Sequence, residues 1–130
     1  MAAQYRPSTT AIYHTHSTSA VLASLLVTGN HLQMKHLQMV KGMRGHGWED
    51  TLSIPIIENK ATEDAIADVI EQAVTDNPGV DAVLIRRHGL YVWGDTWEMA
   101  KVQVESLEWL FKVCIEMKNM GLSLTEQTSQ

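Results

Sequence analysis

The stretch DAVLIRRHGLYVWG, residues 81–94, decides how the chain folds. Asp81 to Ile85 is a short apolar run set off by Asn77-Pro78-Gly79, the pattern of a buried strand. Leu90 to Trp93 is a second such run, closed by Gly94-Asp95. Arg86-Arg87-His88-Gly89 is the tight connection between them, and Gly89 can take a positive φ there without a Cβ penalty.

Working outward, Thr96 to Asn119 carries Ala100, Val104, Leu107, Phe111, Cys114 and Met117 at steps of three and four, which predicts a long helix. Ser123 to Gln130 is a polar tail with no reason to order, so the domain is expected to run over residues 1–122 and the tail over 123–130. Upstream, Ala61 to Thr75 is an amphipathic helix. Thr62 is its cap, Glu63-Asp64 suit the positive end of its dipole, and Ile66, Val69, Ile70 and Ala73 form its apolar face. LSIPII, residues 52–57, predicts a strand, and Pro55 assigns it to an edge or a bulge because proline cannot donate to a ladder. Lys41 to Asp50 holds three glycines and reads as a loop; His31 to Val40 offers no more than a short helical turn. Ser17 caps a helix carrying Ala20, Val21, Ser24 and Leu25 and ending at Gly29-Asn30, after a strand over Thr9 to Thr15 with Pro7 just before it.

Composition narrows the function classes. A hydrophobic fraction of 45% supports a packed core, and 19% charged residues is not the signature of a disordered chain. The net charge of -5 and the scattering of ten basic residues argue against nucleic acid as a partner. One cysteine, Cys114, rules out an internal disulfide framework and fits a reducing compartment; the thiol itself reads as buried and inert. Apolar stretches such as Ala20 to Val27 are too short to span a bilayer, and MAAQYRPSTT lacks the apolar core of a signal peptide. These features predict a soluble cytoplasmic protein that does not engage membranes.

The candidate chemistry lies in histidines. In His14-Thr15-His16 the two imidazoles sit two residues apart on a strand, about 6.5–7 Å between Cα atoms and on the same face, placed to hold one metal ion. Two unrelated surface histidines would give the same text. His88 lies at the end of a buried strand, in the kind of loop that carries functional groups, and three histidines with one open position is the pattern of a catalytic zinc site. Spacing alone does not bring His88 to the pair, and His31, His36 and His46 are equally available as a third ligand. Arg86 and Arg87 could meet a phosphate, but adjacent strand residues face opposite ways, so at most one can point into a site. Trp93, Trp97 and Trp109 read as core or interface packing, and the seven methionines as gap-fillers.

The string RRHGLYVWGDTWEMAK at 86–101 resembles the signature of the methylthioribulose-phosphate dehydratases of the class II aldolase family. So do IYHTHS at 12–17, MVKGM at 39–43 and LSIPIIEN at 52–59, in family order and spacing from Ile12 onward. The resemblance implies an α/β fold, a class II aldolase-like β-sheet flanked by helices, with one zinc ion on His14, His16 and His88. It implies zinc-assisted dehydration of 5-methylthioribulose 1-phosphate, a phosphorylated methylthio-sugar, to a diketo phosphate in methionine salvage. Intact members usually assemble as tetramers with sites near subunit interfaces. Some animal members are associated with inhibition of apoptosome assembly, which implies an apoptosis-related protein partner.

Two departures qualify what is carried over. Gln38 stands where the family has its acid/base glutamate, and an amide keeps the shape and hydrogen bonding of a carboxylate without its capacity for proton transfer. The nearest acids, Glu49 and Asp50, have no family precedent for that role. The chain also begins about halfway through the family's domain, so the expected fold is N-terminally truncated. A sheet edge and an apolar face are then expected to lie uncovered and to favour association. The expectation is reduced or absent turnover, the alternative being a non-catalytic regulatory or protein-binding member that keeps the metal fold.

Overall fold

Successive side chains of a strand point to opposite faces, so a run that is apolar at every position needs cover on both. Ala82–Ile85 has it: all four residues are buried. Ala82 and Leu84 enter one core with Leu107, Leu110 and Phe111, while Val83 and Ile85 enter another with Ile66, Ile70 and Val74. A computed structural model describes residues 10–126 of the chain. The expected strand start at Thr9, Pro7 before it and the end of the tail at 127–130 lie outside the described residues.

The elements run β1 (Ala11–Thr15), α1 (Thr18–Ala23), β2 (His31–Met34), a 3-10 helix (Gln38–Gly42), β3 (Leu52–Ile57), α2 (Glu63–Asp76), β4 (Ala82–Ile85), β5 (Gly89–Gly94) and α3 (Trp97–Asn119). The strands form one sheet in the order β1-β5-β4-β3-β2. Only the β3–β4 pair is parallel among the described strands. Helices α1 and α3 and the 3-10 helix cover one face, and α2 covers the other. The result is the α/β sheet flanked by helices that the sequence predicts. Each of the three α-helices starts on a hydroxyl cap: Ser17 accepts from Ala20 N at 3.1 Å, Thr62 from Ala65 N at 3.3 Å and Thr96 from Met99 N at 3.1 Å.

Four expectations change. His31–Met34 is a strand, read from sequence as no more than part of a helical turn; Leu32 and Met34 alternate into the core, and the segment gains its ladder from β3. Pro55 lies on an interior strand and not at an edge. Backbone N–H groups alternate sides along a strand, and Ile56 donates to Asn30 O at 2.8 Å on the β2 side. The nitrogen of Pro55 therefore turns towards β4, one residue ahead of the first β3–β4 rung at Ile56–Leu84. The start of the polar tail is ordered, because Leu124 is buried in the core and its carbonyl accepts from Lys35 N at 3.0 Å. Helix α1 ends at Ala23, short of Gly29-Asn30. No helix among the described residues is long and apolar enough to cross a membrane.

Candidate metal centre

The register of two strands assembles the site. β1 pairs antiparallel with β5, placing His14 opposite Tyr91 and Thr15 opposite Leu90. The His14 ring stacks on Tyr91, with centroids 4.0 Å apart and planes 17° from parallel. The β4–β5 turn brings His88 back beside them. Arg87 takes the left-handed conformation of that turn at φ 62°, and Gly89 adopts φ 157°. Glycine is required at 89 mainly by proximity: a Cβ there would overlap the carbonyl oxygen of Thr15 and crowd the Cα of His16 at 3.2 Å. That backbone approach carries His88 to the pair.

The three imidazoles form a compact triangle, with ring centroids 4.6 Å (His14–His16), 5.2 Å (His14–His88) and 4.9 Å (His16–His88) apart. One nitrogen from each lies within 4.8 Å of the others, and among the described residues no other group of three His, Cys, Asp or Glu does so. The Nε2 atoms of His14 and His16 are 2.9 Å apart. Two nitrogens bound to one tetrahedral ion at about 2.0–2.1 Å would stand roughly 3.3 Å apart, so the donor set fits a divalent cation after a small opening. Outward-facing nitrogens are held: His14 Nδ1 meets Leu90 O at 3.1 Å, and His88 Nδ1 meets Asn59 Oδ1 at 3.0 Å. Desolvation, then the neighbouring charges of His16 and His88, hold His14 below the usual histidine value against the opposing pull of Leu90 O and Glu63. The neutral, metal-binding form is favoured.

A cavity of about 440 Å³ opens over the triangle, bounded by the histidines, Tyr91 and the first turns of α2, including Glu63 and Asp64. A larger cleft of about 550 Å³ between α1 and α3 lacks such a donor set; Ser17 and Ser19 there donate to Glu108. Sequence reasoning assigned Glu63 and Asp64 only to the helix dipole. Their placement over the histidines follows from α2 packing on the sheet, which no local pattern reports. Burial first, and then Glu63, raises Tyr91 above the usual phenol value.

The other candidates fall elsewhere. Gln38 is exposed at the start of the 3-10 helix, which packs on α3, and it is not among the residues lining the histidine cavity. His31 bonds to Asn30 and Asn77 at 2.9 Å each, His46 to Arg44 O at 3.0 Å, and His36 lies against Trp48. Arg86 is committed to structure: its guanidinium donates to Glu58, Ser24 O, Val27 O and Gly29 O at 2.7–2.9 Å. Of the arginine pair, only Arg87 remains exposed. Trp93 is core, while Trp97 and Trp109 are exposed. Glu49 and Asp50 lie exposed in the loop before β3.

Comparison with known proteins identifies the family and the fold. The chain is 44% identical over 118 residues to a methylthioribulose-1-phosphate dehydratase of Aquarana catesbeiana, an overlap of 86% of this chain and 49% of that protein. It is 42% identical over 122 residues to the Mus musculus protein of the same name, covering 89% and 51%. The chain thus spans about half the length of the relatives it matches. Its fold is shared with the YgbL protein of Escherichia coli (TM-score 0.67, 20% identity, 88% of this chain and 52% of that one). It is also shared with L-fuculose-1-phosphate aldolase of Thermus thermophilus (TM-score 0.64, 20% identity, 88% and 56%). Residues 2–115 match the model of the class II aldolase and adducin N-terminal domain, and the chain belongs to that family.

Proposed function

We propose that this chain carries the metal-binding half of a zinc-dependent dehydratase acting on 5-methylthioribulose 1-phosphate and forming 2,3-diketo-5-methylthiopentyl 1-phosphate in methionine salvage. The observation that carries the reading is the triangle of His14, His16 and His88, in a chain more than 40% identical to proteins of that name. Zinc, when bound, would supply Lewis acidity to a substrate oxygen. The chain's own part is to hold the ion through His14, His16 and His88, to brace the His14 ring with Tyr91 stacked on it, and to admit substrate from the cavity below α2. Gln38, which stands where the family has its acid/base glutamate, cannot carry a proton and lies outside the cavity over the histidines. Cytoplasmic location and a homo-oligomer, a tetramer by analogy with intact relatives, belong to the same reading. Among the described residues, the outer edge of β1 is unpaired and Ile12, Leu22 and Leu25 are exposed, which would suit association.

Gln38 also favours a second reading, a regulatory or protein-binding member that keeps the metal fold without turnover. One experiment separates the two. A chimera joins this chain to the upstream half of a related dehydratase and is assayed with methylthioribulose phosphate beside its Gln38→Glu variant. General acid/base groups contribute about 10²–10⁴-fold, and restoring glutamate is expected to raise turnover by that order. A chimera that binds zinc and stays silent with glutamate restored would favour the regulatory reading. Equal turnover by the two would remove Gln38 from the acid/base position.

A further inference from the structure

Resting on the metal reading above, we propose that Asn59 is the positioning residue of His88: it fixes the imidazole as its Nδ1–H tautomer and so presents Nε2 to the cavity shared with His14 and His16. The topology brings the two together. β3 and β4 are parallel neighbours, with Ile57 beside Ile85, so the chain leaving each strand emerges at the same end of the sheet. Arg86 N donates to Ile57 O at 2.8 Å, Arg86 Nε donates to Glu58 Oε2 at 2.8 Å, and His88 Nδ1 meets Asn59 Oδ1 at 3.0 Å. Three successive ties stitch residues 57–59 to residues 86–88.

The last tie is ambiguous by itself. An amide offers both an acceptor oxygen and a donor nitrogen, and either nitrogen of a neutral imidazole can donate or accept. Lys60 removes the ambiguity. Its backbone N–H donates to the same Asn59 atom at 3.0 Å, so that atom is the oxygen. An amide oxygen only accepts, so the proton of the shared contact sits on His88 Nδ1. A neutral imidazole has one N–H, which leaves the Nε2 lone pair free. His14 is oriented in the same sense by the Leu90 carbonyl, a backbone group that no side-chain substitution removes. The support of His88 is a side chain, and Asn59 is therefore the handle by which the centre can be loosened without touching a ligand.

The test uses the whole chain, with histidine nitrogens labelled and metal stripped by chelator, about two pH units above the ordinary histidine value so that the rings are neutral. Nitrogen chemical shifts, assigned by comparison with His88→Ala, report the tautomer. Zinc titration of the same samples reports affinity. Wild type and Asn59→Asp should show His88 as Nδ1–H, because a carboxylate accepts from the same two donors. Asn59→Ala should lose that preference and bind zinc about 10–100-fold more weakly, with Asn59→Asp restoring wild-type affinity or better. An Nε2–H tautomer in wild type would overturn the proposal, and so would an Asn59→Ala protein unchanged in both tautomer and affinity. A loss in Asn59→Ala that Asn59→Asp does not restore would assign Asn59 a merely structural role and overturn it as well. Wild-type protein with His88 as Nδ1–H and no zinc affinity would support the tautomer assignment while striking the metal reading alone.

Discussion

Cys114 sits inside α3 with no exposed surface, its sulfur 3.9 Å from that of Met34, and burial pushes its thiol up to about 12 from an ordinary 9.0. The raised value has a direction for stability. Between the two values the unfolded chain has lost the proton and the folded chain keeps it, so this stabilisation is full below the unfolded value and fades as pH rises towards about 12. The thiolate is the nucleophile, so the native protein should leave a disulfide reagent unreacted at neutral pH, while denatured protein reacts promptly with one equivalent. Prompt reaction of the native protein would contradict this burial. The inertness of Cys114 was legible in the sequence, because a small apolar residue in phase with Leu107 and Phe111 faces a core. The role of Arg86 was not. Its partners are mostly backbone carbonyls of the turn after α1, sites that exist only once that turn has met β4.

At the scale of elements, the centre depends on how closely β1 and the β4–β5 turn approach. Gly89→Ala would drive a methyl group into the Thr15 carbonyl, and is expected to cost about 2–4 kcal/mol and to disperse the histidine triangle. Gly79→Ala is the control: a Cβ there meets nothing within 4 Å, and its effect should stay within about 0.5 kcal/mol. Urea unfolding midpoints of the two variants measure this directly, and similar midpoints would argue against the close approach. The strands and helices with strong local patterns were readable, including the caps at Ser17 and Thr62. β2 was not, because His31–Met34 offers only two apolar residues in alternation and owes its conformation to pairing with residues 52–55. Pro55 misled for a related reason: the rule against proline in interior strands fails where the missing N–H faces a neighbour that has no rung there.

Across the whole molecule, the described residues form a sheet covered on both faces, and the histidines come from one end of β1 and from the turn between β4 and β5. The candidate ligands were legible one motif at a time, but their meeting depends on a β1–β5 pairing between segments some seventy-five positions apart, which spacing does not encode. Family resemblance supplied that link from sequence, and the ring distances supply it independently. The most direct test is zinc titration of chelator-stripped protein beside single alanine variants of each of the six histidines. Wild type should bind one zinc per chain, and His14→Ala, His16→Ala and His88→Ala should each weaken binding by more than about 100-fold, beyond the loss expected for an outer support. His31→Ala, His36→Ala and His46→Ala should bind as wild type does. Wild-type stoichiometry and affinity retained in both His14→Ala and His88→Ala would contradict the account.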